Sequence, residues 1–182
     1  RQEYIEGGYP LSNAKDETFF HEIARHTLKS SKIAAFGMTR KRGEKVSEDS
    51  GIQSLQKCPA SVVTIVGKGW DLQAKKVLGV SLDENLRMIA ESVQYLRSKG
   101  REVLFDAEHF FDGYKENPKY ALKVLGAAAE AGACRLILCD TNGGSLVPQT
   151  EQIVTEVAGQ IPVPLGIHTH DDAGLAVANS LA

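Results

Sequence analysis

The sequence predicts an α/β fold in which parallel strands alternate with helices. Short apolar runs bounded by glycine, proline or charged residues recur along the chain, and segments with helical periodicity separate most of them. A parallel neighbour needs a long crossover, for which a helix is the usual solution. The chain has 182 residues, of which 42% are apolar, and this is enough for one core. No linker or repeat divides the sequence, so we expect a single domain over residues 1–182.

The first hundred residues predict three strands and two helices. Apolar runs indicate buried strands at 4–8, 33–37 and 61–67, and a helical pattern covers 16–28. The clearest helix is expected at 81–99, where apolar residues recur at helical spacing: Leu86, Ile89, Ala90, Val93 and Leu96. Its ends carry the usual signals, which are a capping-box pair before the apolar run and a glycine after it: Ser81, Glu84 and Gly100.

The remaining residues predict three strands and two helices. Strands are expected at 103–108, 135–140 and 165–168. Between the first two, an N-cap asparagine and an N1 proline open a helix that a glycine ends: Asn117, Pro118 and Gly132. A further helix is expected at 148–157.

Polar and aromatic side chains follow the predicted strands. In parallel α/β folds, ligand sites gather at the carboxyl ends of the strands. The residues found there are Glu6 and Tyr9, residues 39–42, Lys68 and Trp70, Glu108 and His109, residues 140–142, and His168 with His170. We therefore expect one polar site along this edge of the sheet.

The most informative segment is Gly-Ile-His-Thr-His-Asp-Asp at 166–172. His168 and His170 are two residues apart, so on a strand they project from the same face and could hold one metal ion. Asp171 and Asp172 could fix the tautomers of these imidazoles. The alternative is that both rings only bind neighbouring groups. A catalytic metal usually has at least one more protein ligand. The candidates at other strand ends are Glu6, Glu108 and Asp140.

Two further features allow a functional and a structural interpretation. Asp106 and Glu108 share one face of a predicted strand, where a metal or substrate could offset their desolvation, but a salt bridge to lysine or arginine would do the same. The loop 140–144 could simply turn the chain, or it could present Thr141 to a carboxylate. Lys68 could meet an anionic group of a ligand.

Composition argues against several classes of function. The formal charge is −2 with both signs interspersed, so we expect no basic face for nucleic acid. No apolar run approaches the roughly 20 residues of a membrane span, so we expect no membrane partner. The three cysteines lack a CxxC spacing and fit reduced, mostly buried thiols of a cytoplasmic protein. Small molecules are the expected partners.

Blocks along the whole chain resemble the isopropylmalate/homocitrate/citramalate synthase family, the DRE-TIM metallolyases, and the citramalate synthase branch most of all. The last block fits the family's second signature at Leu165, His168, His170, Asp171, Asp172, Gly174, Ala176 and Ala178. The other blocks are Tyr-Ile-Glu-Gly-Gly-Tyr-Pro at 4–10, Trp-Asp-Leu at 70–72, Asp-Ala-Glu-His-Phe-Phe-Asp-Gly-Tyr-Lys at 106–115 and Leu-Cys-Asp-Thr-Asn-Gly-Gly at 138–144. Asp171 departs mildly, because asparagine is more frequent there in this branch.

The resemblance implies a TIM barrel that condenses acetyl-CoA with a 2-oxo acid, pyruvate in the citramalate branch, with a divalent metal ion (Mn, Mg, Zn or Co). By position, it implies that His168 and His170 bind the metal ion and that Glu6 organises the active-site arginine. Thr141 would bind the carboxylate of the oxo acid, and the other residues of the substrate site would be Asp140, Asn142 and Lys68. Glu108 is the first candidate for proton transfer, and His109 is the second. It also implies a cytoplasmic homodimer in isoleucine-type branched-chain amino-acid biosynthesis.

The resemblance assigns the six predicted strands to the second through seventh of an eight-stranded barrel. It places the family's metal-binding aspartate and active-site arginine on the first strand, so we expect the third metal ligand to lie outside this chain. We therefore expect a partial TIM barrel with outer helices, whose first and eighth strands are missing, and little activity from this chain alone. Three alternatives stay open. The first is a sister enzyme that uses 2-oxoisovalerate or 2-oxoglutarate, or a lyase that runs the reaction in reverse. The others are a non-catalytic barrel fragment and an open doubly wound sheet with helices on both faces.

Overall fold

One sheet of six parallel strands organises the molecule. The computed structural model describes residues 2–182. Its strands are β1 (Tyr4–Glu6), β2 (Lys32–Met38), β3 (Val62–Lys68), β4 (Glu102–Glu108), β5 (Arg135–Asp140) and β6 (Leu165–Thr169). They pair in chain order from β1 to β6, and each pair is parallel. This order excludes a doubly wound sheet, in which the strand order reverses. The six predicted strands and the partial barrel are confirmed.

Helices connect the strands and pack on one side of the sheet. They are α1 (Ala14–Ile23), α2 (Ser50–Lys57), α3 (Asp71–Gln73), α4 (Leu82–Ser98), α5 (Phe110–Glu116), α6 (Pro118–Glu130), α7 (Val147–Ala158) and α8 (Ala176–Leu181), with a π-helical turn at Ala74–Leu78. The four predicted helices form, although the first ends at Ile23 rather than at residue 28. The helices that the sequence did not predict are short, so they show too little of the helical period. Across residues 2–182, every helix is too short or too polar to cross a bilayer.

The predicted helix caps form, with one difference. The Ser81 hydroxyl accepts from the Glu84 N–H at 3.1 Å, and the Asn117 side chain accepts from the Tyr120 N–H at 3.2 Å. The Glu84 carboxylate does not return to Ser81, because it pairs with Arg40 at 2.9 Å and with Arg87 at 2.6 Å. The capping box is therefore half formed, and Glu84 instead connects α4 to the loop after β2.

Alternate residues of each strand give the sheet two different faces. The outer face packs against the helices and is apolar, with fully buried side chains that include Val63, Ile65, Phe105, Leu136 and Leu138. The inner face lines the hollow of the half-barrel and has only a small apolar cluster of Ala34, Val62 and Leu104. Charged and polar residues share the rest of the inner face with a few apolar ones, namely Phe36, Met38, Val66 and Ile137.

Candidate active site

The carboxyl ends of β3 to β6 bring together most of the residues that the sequence singled out. On the inner face, Cys139 of β5 pairs in register with His168 of β6, and Lys68 of β3 pairs with Glu108 of β4. His170 follows directly after β6. The expected polar edge therefore exists, and it lies over an open hollow of about 610 Å3 whose lining includes Glu6, Thr64, Asp106 and His168.

The two histidines lie side by side, and a carboxylate approaches one of them. The ring centroids of His168 and His170 are 5.1 Å apart. Nδ1 of His168 lies 3.6 Å from Oδ2 of Asp106, whose side chain is only 7% exposed. Interaction with the Asp106 carboxylate raises the pKa of the His168 imidazole. Asp171, in contrast, accepts the Ala176 N–H at 3.0 Å at the start of α8. The carboxylate that approaches His168 is therefore Asp106.

The donor atoms of Asp106, Cys139 and His168 all lie within 4.8 Å of one another, which is close enough for one metal ion. Burial raises the pKa of the Cys139 thiol far above its ordinary value. The thiol also contacts the Ile137 carbonyl, with Sγ and O 3.8 Å apart. The thiolate is the ligand form of cysteine, so Cys139 would have to lose this proton in order to bind an ion. The imidazole and carboxylate donors of the group suit a divalent ion of the Mn, Zn or Co kind.

Lys68 and Glu108 form an ion pair at the end of β3 and β4. Both side chains are partly buried, at 11% and 25% exposure. Glu108 thus has the salt bridge that the sequence allowed as its structural interpretation. Asp106, on the same face of β4, has no lysine or arginine partner among residues 2–182.

His109 has an unusual backbone conformation. It lies in the left-handed region (φ 56°, ψ 32°), alone among the non-glycine residues that the structure describes. Its N–H donates to Oγ1 of Thr141 at 2.8 Å, and its ring centroid lies 5.9 Å from that of Trp70. Burial lowers the pKa of the His109 imidazole, and Nδ1 is buried without a hydrogen-bond partner. A strained residue with a neutral imidazole at a strand end is typical of a functional position.

The backbone segments on either side of His109 pack closely against each other, at Gly69 and at Gly113. A side chain at Gly69 would meet the Glu108 carbonyl oxygen at 2.9 Å, and one at Gly113 would meet the Gly69 carbonyl oxygen at 2.7 Å. The loop after β3 therefore rests directly on the start of α5. This contact fixes Trp70 against His109.

The loop after β5 supports the histidine segment through its main chain. The Asp140 carbonyl accepts the His170 N–H at 3.2 Å, and the Gly143 carbonyl accepts the Ala173 N–H at 3.2 Å. Asp140 itself is 1% exposed, and its carboxylate accepts the Ser145 N–H at 3.1 Å. Asp140 therefore lies inside the loop that carries Thr141 and Asn142.

The remaining predicted substrate residues lie around this loop. Asn142 donates from its amide to the Asp112 carboxylate at 2.8 Å. Thr141 accepts from His109, so its hydroxyl proton is free to donate elsewhere. Glu6 lies across the hollow on β1, and its negative charge contributes to the raised pKa of His168. The structure thus places every predicted site residue along one edge of the sheet.

Sequence reasoning missed two parts of this site. It recognised Asp106 as an inward carboxylate but grouped it with Glu108, whereas its neighbour is His168. It also gave no role to Glu116, whose carboxylate accepts the indole N–H of Trp70 at 2.9 Å. Alternation along a strand identifies the face, but contacts between different strands depend on register and twist, which one sequence does not encode locally.

Comparison with known proteins gives consistent matches. The HMGL-like family model matches residues 1–182. The chain is 51% identical over 179 residues to the (R)-citramalate synthase of Aquifex aeolicus, which covers 98% of this chain and 34% of that protein. It is 38% identical over 178 residues to a probable 2-isopropylmalate synthase of Methanopyrus kandleri, and this match covers 98% of this chain and 33% of that protein. The chain therefore spans about a third of the length of these relatives.

A solved structure supports the same architecture. The hydroxymethylglutaryl-CoA lyase of Pseudomonas aeruginosa superposes with a TM-score of 0.73, over 91% of this chain and 53% of the lyase. The sequences are 19% identical, so this likeness concerns the fold alone.

Proposed function

The chain belongs to the HMGL-like family, and from that premise we propose that it serves in the metal-dependent condensation of acetyl-CoA with pyruvate to give citramalate and CoA. The observation that carries the proposal is the pair of adjacent imidazoles, 5.1 Å apart, beside a buried carboxylate at the carboxyl ends of parallel strands. Greater similarity to a citramalate synthase than to a 2-isopropylmalate synthase, 51% against 38% identity, favours pyruvate as the acceptor.

We propose that His168 and His170 hold the divalent metal ion. The family resemblance suggests Mn, Mg, Zn or Co, and the two imidazoles, with ring centroids 5.1 Å apart beside the Asp106 carboxylate, suit Mn, Zn or Co best. When bound, such an ion polarises the ketone of the oxo acid and stabilises the alkoxide that forms. Asp106 restrains His168 from the side of β4.

Thr141 binds the carboxylate of the oxo acid in this proposal. Its oxygen already accepts the His109 N–H, so its single proton is directed away and can donate to an anionic ligand. Asn142 and Asp140 hold the loop in shape through Asp112 and the Ser145 N–H. Lys68 adds positive charge to the same rim, partly neutralised by Glu108.

Proton transfer falls to Glu108 and His109. The condensation requires a base that removes a proton from the acetyl methyl group. Lys68 holds the Glu108 carboxylate in place, and burial lowers the pKa of the His109 imidazole, which favours its proton-accepting neutral form. Glu108 is our first candidate because it lies on the inner face with Asp106, and Glu6 completes the acidic rim across the hollow.

A thiol-release assay with a panel of oxo acids tests the function. The full-length protein is given acetyl-CoA with pyruvate, 2-oxoisovalerate or 2-oxoglutarate, with and without a chelator. We expect CoA release with pyruvate that a chelator abolishes and added Mn²⁺ or Co²⁺ restores. Faster release with either other acid would indicate a sister acyltransferase. CoA release that needs no metal, or no turnover in any direction, would contradict the proposal.

We also propose that the enzyme acts in the cytoplasm, in branched-chain amino-acid biosynthesis, as a homodimer. The three cysteines are free thiols, which fits a reducing compartment. The homodimer rests on the family resemblance. Light scattering of the full-length protein tests it, and the mass of a monomer would contradict the proposed dimer.

A further inference from the structure

One ring nitrogen of His109 is buried without a partner. Nδ1 makes no hydrogen bond among residues 2–182, although the side chain is only 14% exposed. Buried polar atoms are normally paired, since an unpaired one has lost its bonds to water. The backbone of the same residue lies in the left-handed region, a conformation that persists only where its surroundings hold it. The molecule therefore fixes His109 in place but leaves Nδ1 unsatisfied.

The Asp112 carboxylate lies beside this nitrogen. Oδ2 of Asp112 and Nδ1 of His109 are 4.0 Å apart. Hydrogen bonds of catalytic groups are often long in the free enzyme and shorten when the substrate binds. An acceptor at Nδ1 places the ring proton on that atom, so Nε2 becomes the nitrogen that can take up a proton. Asp112 is thus in position to select the tautomer of His109.

Other contacts hold the Asp112 carboxylate next to the ring. The Asn142 amide donates to Oδ2 at 2.8 Å, and Nζ of Lys115 lies 3.3 Å from Oδ1. A carboxylate oxygen has two lone pairs, so Oδ2 can accept from the imidazole while Asn142 stays bound. The backbone of the next residue, Gly113, is fixed as well, because a methyl group there would lie 2.7 Å from the Gly69 carbonyl oxygen. Asp112 is therefore ordered, and it keeps a lone pair for the imidazole.

Trp70 limits the imidazole in a different way. Its ring centroid lies 5.9 Å from that of His109, and its indole N–H donates to the Glu116 carboxylate at 2.9 Å. The indole supplies no acceptor for an imidazole proton. Trp70 can therefore restrict where the imidazole lies, whereas Asp112 can decide which nitrogen carries the proton.

We propose that Asp112 is a positioning residue, which accepts the Nδ1 proton of His109 and so leaves Nε2 free to take up a proton during the condensation. The inference rests on the proposed function, in which His109 is the second candidate for proton transfer. When Nε2 takes a proton from the acetyl methyl group, the electron pair of the broken C–H bond stays on the enolate and the ring becomes a cation. The Asp112 carboxylate offsets that positive charge.

Steady-state kinetics of the full-length enzyme compares Asp112→Asn with a matched control, Asp71→Asn. The Asp71 carboxylate also has a lysine and an asparagine partner, Lys75 at 3.0 Å and Asn117 at 3.4 Å, but no histidine among the described residues. We expect kcat for CoA release with pyruvate to fall at least about tenfold in Asp112→Asn, with both KM values within about threefold, and to stay within about twofold in Asp71→Asn. An unchanged kcat in Asp112→Asn, or equal losses in the two variants, would overturn the inference.

A double-mutant cycle shows whether Asp112 acts through His109. His109→Asn removes the imidazole and supplies a residue that tolerates the left-handed backbone. In that background we expect Asp112→Asn to lower kcat by less than about twofold, because the imidazole that it positions is gone. A loss of the same factor in both backgrounds would indicate a purely structural role and would contradict the inference.

The variant Asp112→Glu keeps the cycle usable if asparagine unfolds the loop, since glutamate retains the negative charge. We expect any change that it causes in kcat to disappear in the His109→Asn background. A change of more than about twofold that persists without the imidazole would count against Asp112 as a positioning residue.

The wild type separates failure of this inference from failure of the proposed function. If the wild type releases CoA with pyruvate and Asp112→Asn does so with the same kcat, the function stands and Asp112 does not position His109. If the wild type releases no CoA with any of the three oxo acids, the proposed function itself is wrong.

Discussion

The two faces of the sheet are made from alternate residues of the same strands, yet they differ in polarity and in their contribution to stability. On β4, Phe105 is fully buried against the helices, whereas its neighbour Asp106 points into the hollow. The outer face is continuous and apolar, so it supplies the burial that stabilises the fold. The inner face gains little from burial and carries the ionisable groups. The contrast teaches that stability and chemistry are separated by a single step along the strand.

The strongest test of this separation is a pair of adjacent substitutions on β4. Phe105→Ala should lower the free energy of unfolding by about 3–5 kcal/mol, because it removes a large side chain with no exposed surface from the outer core. Asp106→Asn should change it by less than about 1 kcal/mol, since asparagine keeps the volume of the side chain and the ion-pair partner, His168, is half exposed. Urea unfolding of both variants gives the values. Equal losses at the two positions would remove the distinction between the faces.

A smaller effect is expected where the two faces meet, at the carboxyl edge. Gly113→Ala should destabilise the protein by roughly 1–3 kcal/mol, because the new methyl group would lie 2.7 Å from the Gly69 carbonyl oxygen. The matched control is Gly126→Ala in α6, where the new methyl group would meet nothing within 4 Å beyond its own helix backbone and chain neighbours, and alanine should stabilise the helix by about 0.5–1 kcal/mol. Thermal unfolding should give a lowered Tm for Gly113→Ala and a raised Tm for Gly126→Ala. A stabilising Gly113→Ala would show that the loop after β3 is not tightly packed on α5.

The smallest effect concerns the pH dependence of stability at His109. Its pKa is lowered by burial, so the unfolded chain binds more protons as the pH falls below about 6.5. The contribution of His109 is therefore present above that pH and is lost as the pH falls. His109→Asn, which tolerates the left-handed backbone, should weaken the fall in unfolding free energy between pH 7.5 and 5. If the unfolding free energy of His109→Asn falls with pH as steeply as that of the wild type, the imidazole is not buried in a neutral form.

Sequence patterns anticipated the elements better than the contacts between them. The strands and the long helix α4 carry their own apolar periodicity and caps, so they could be predicted. Short helices such as α2 and α5 could not, because eight residues or fewer show little periodicity. The sequence left the two acids of β4 undecided between a ligand and a salt bridge. The structure gives Glu108 the salt bridge with Lys68 and places Asp106 beside His168, since register and twist decide those neighbours.

The central claim is that the inner face holds a divalent metal ion through His168 and His170, beside Asp106. Calorimetric titration of Mn²⁺ or Co²⁺ into the full-length apoprotein tests it most directly. We predict one ion per chain for the wild type, and a loss of affinity of more than about 100-fold in His168→Ala and in His170→Ala with unfolding free energies close to that of the wild type. Wild-type affinity in both histidine variants would contradict the claim.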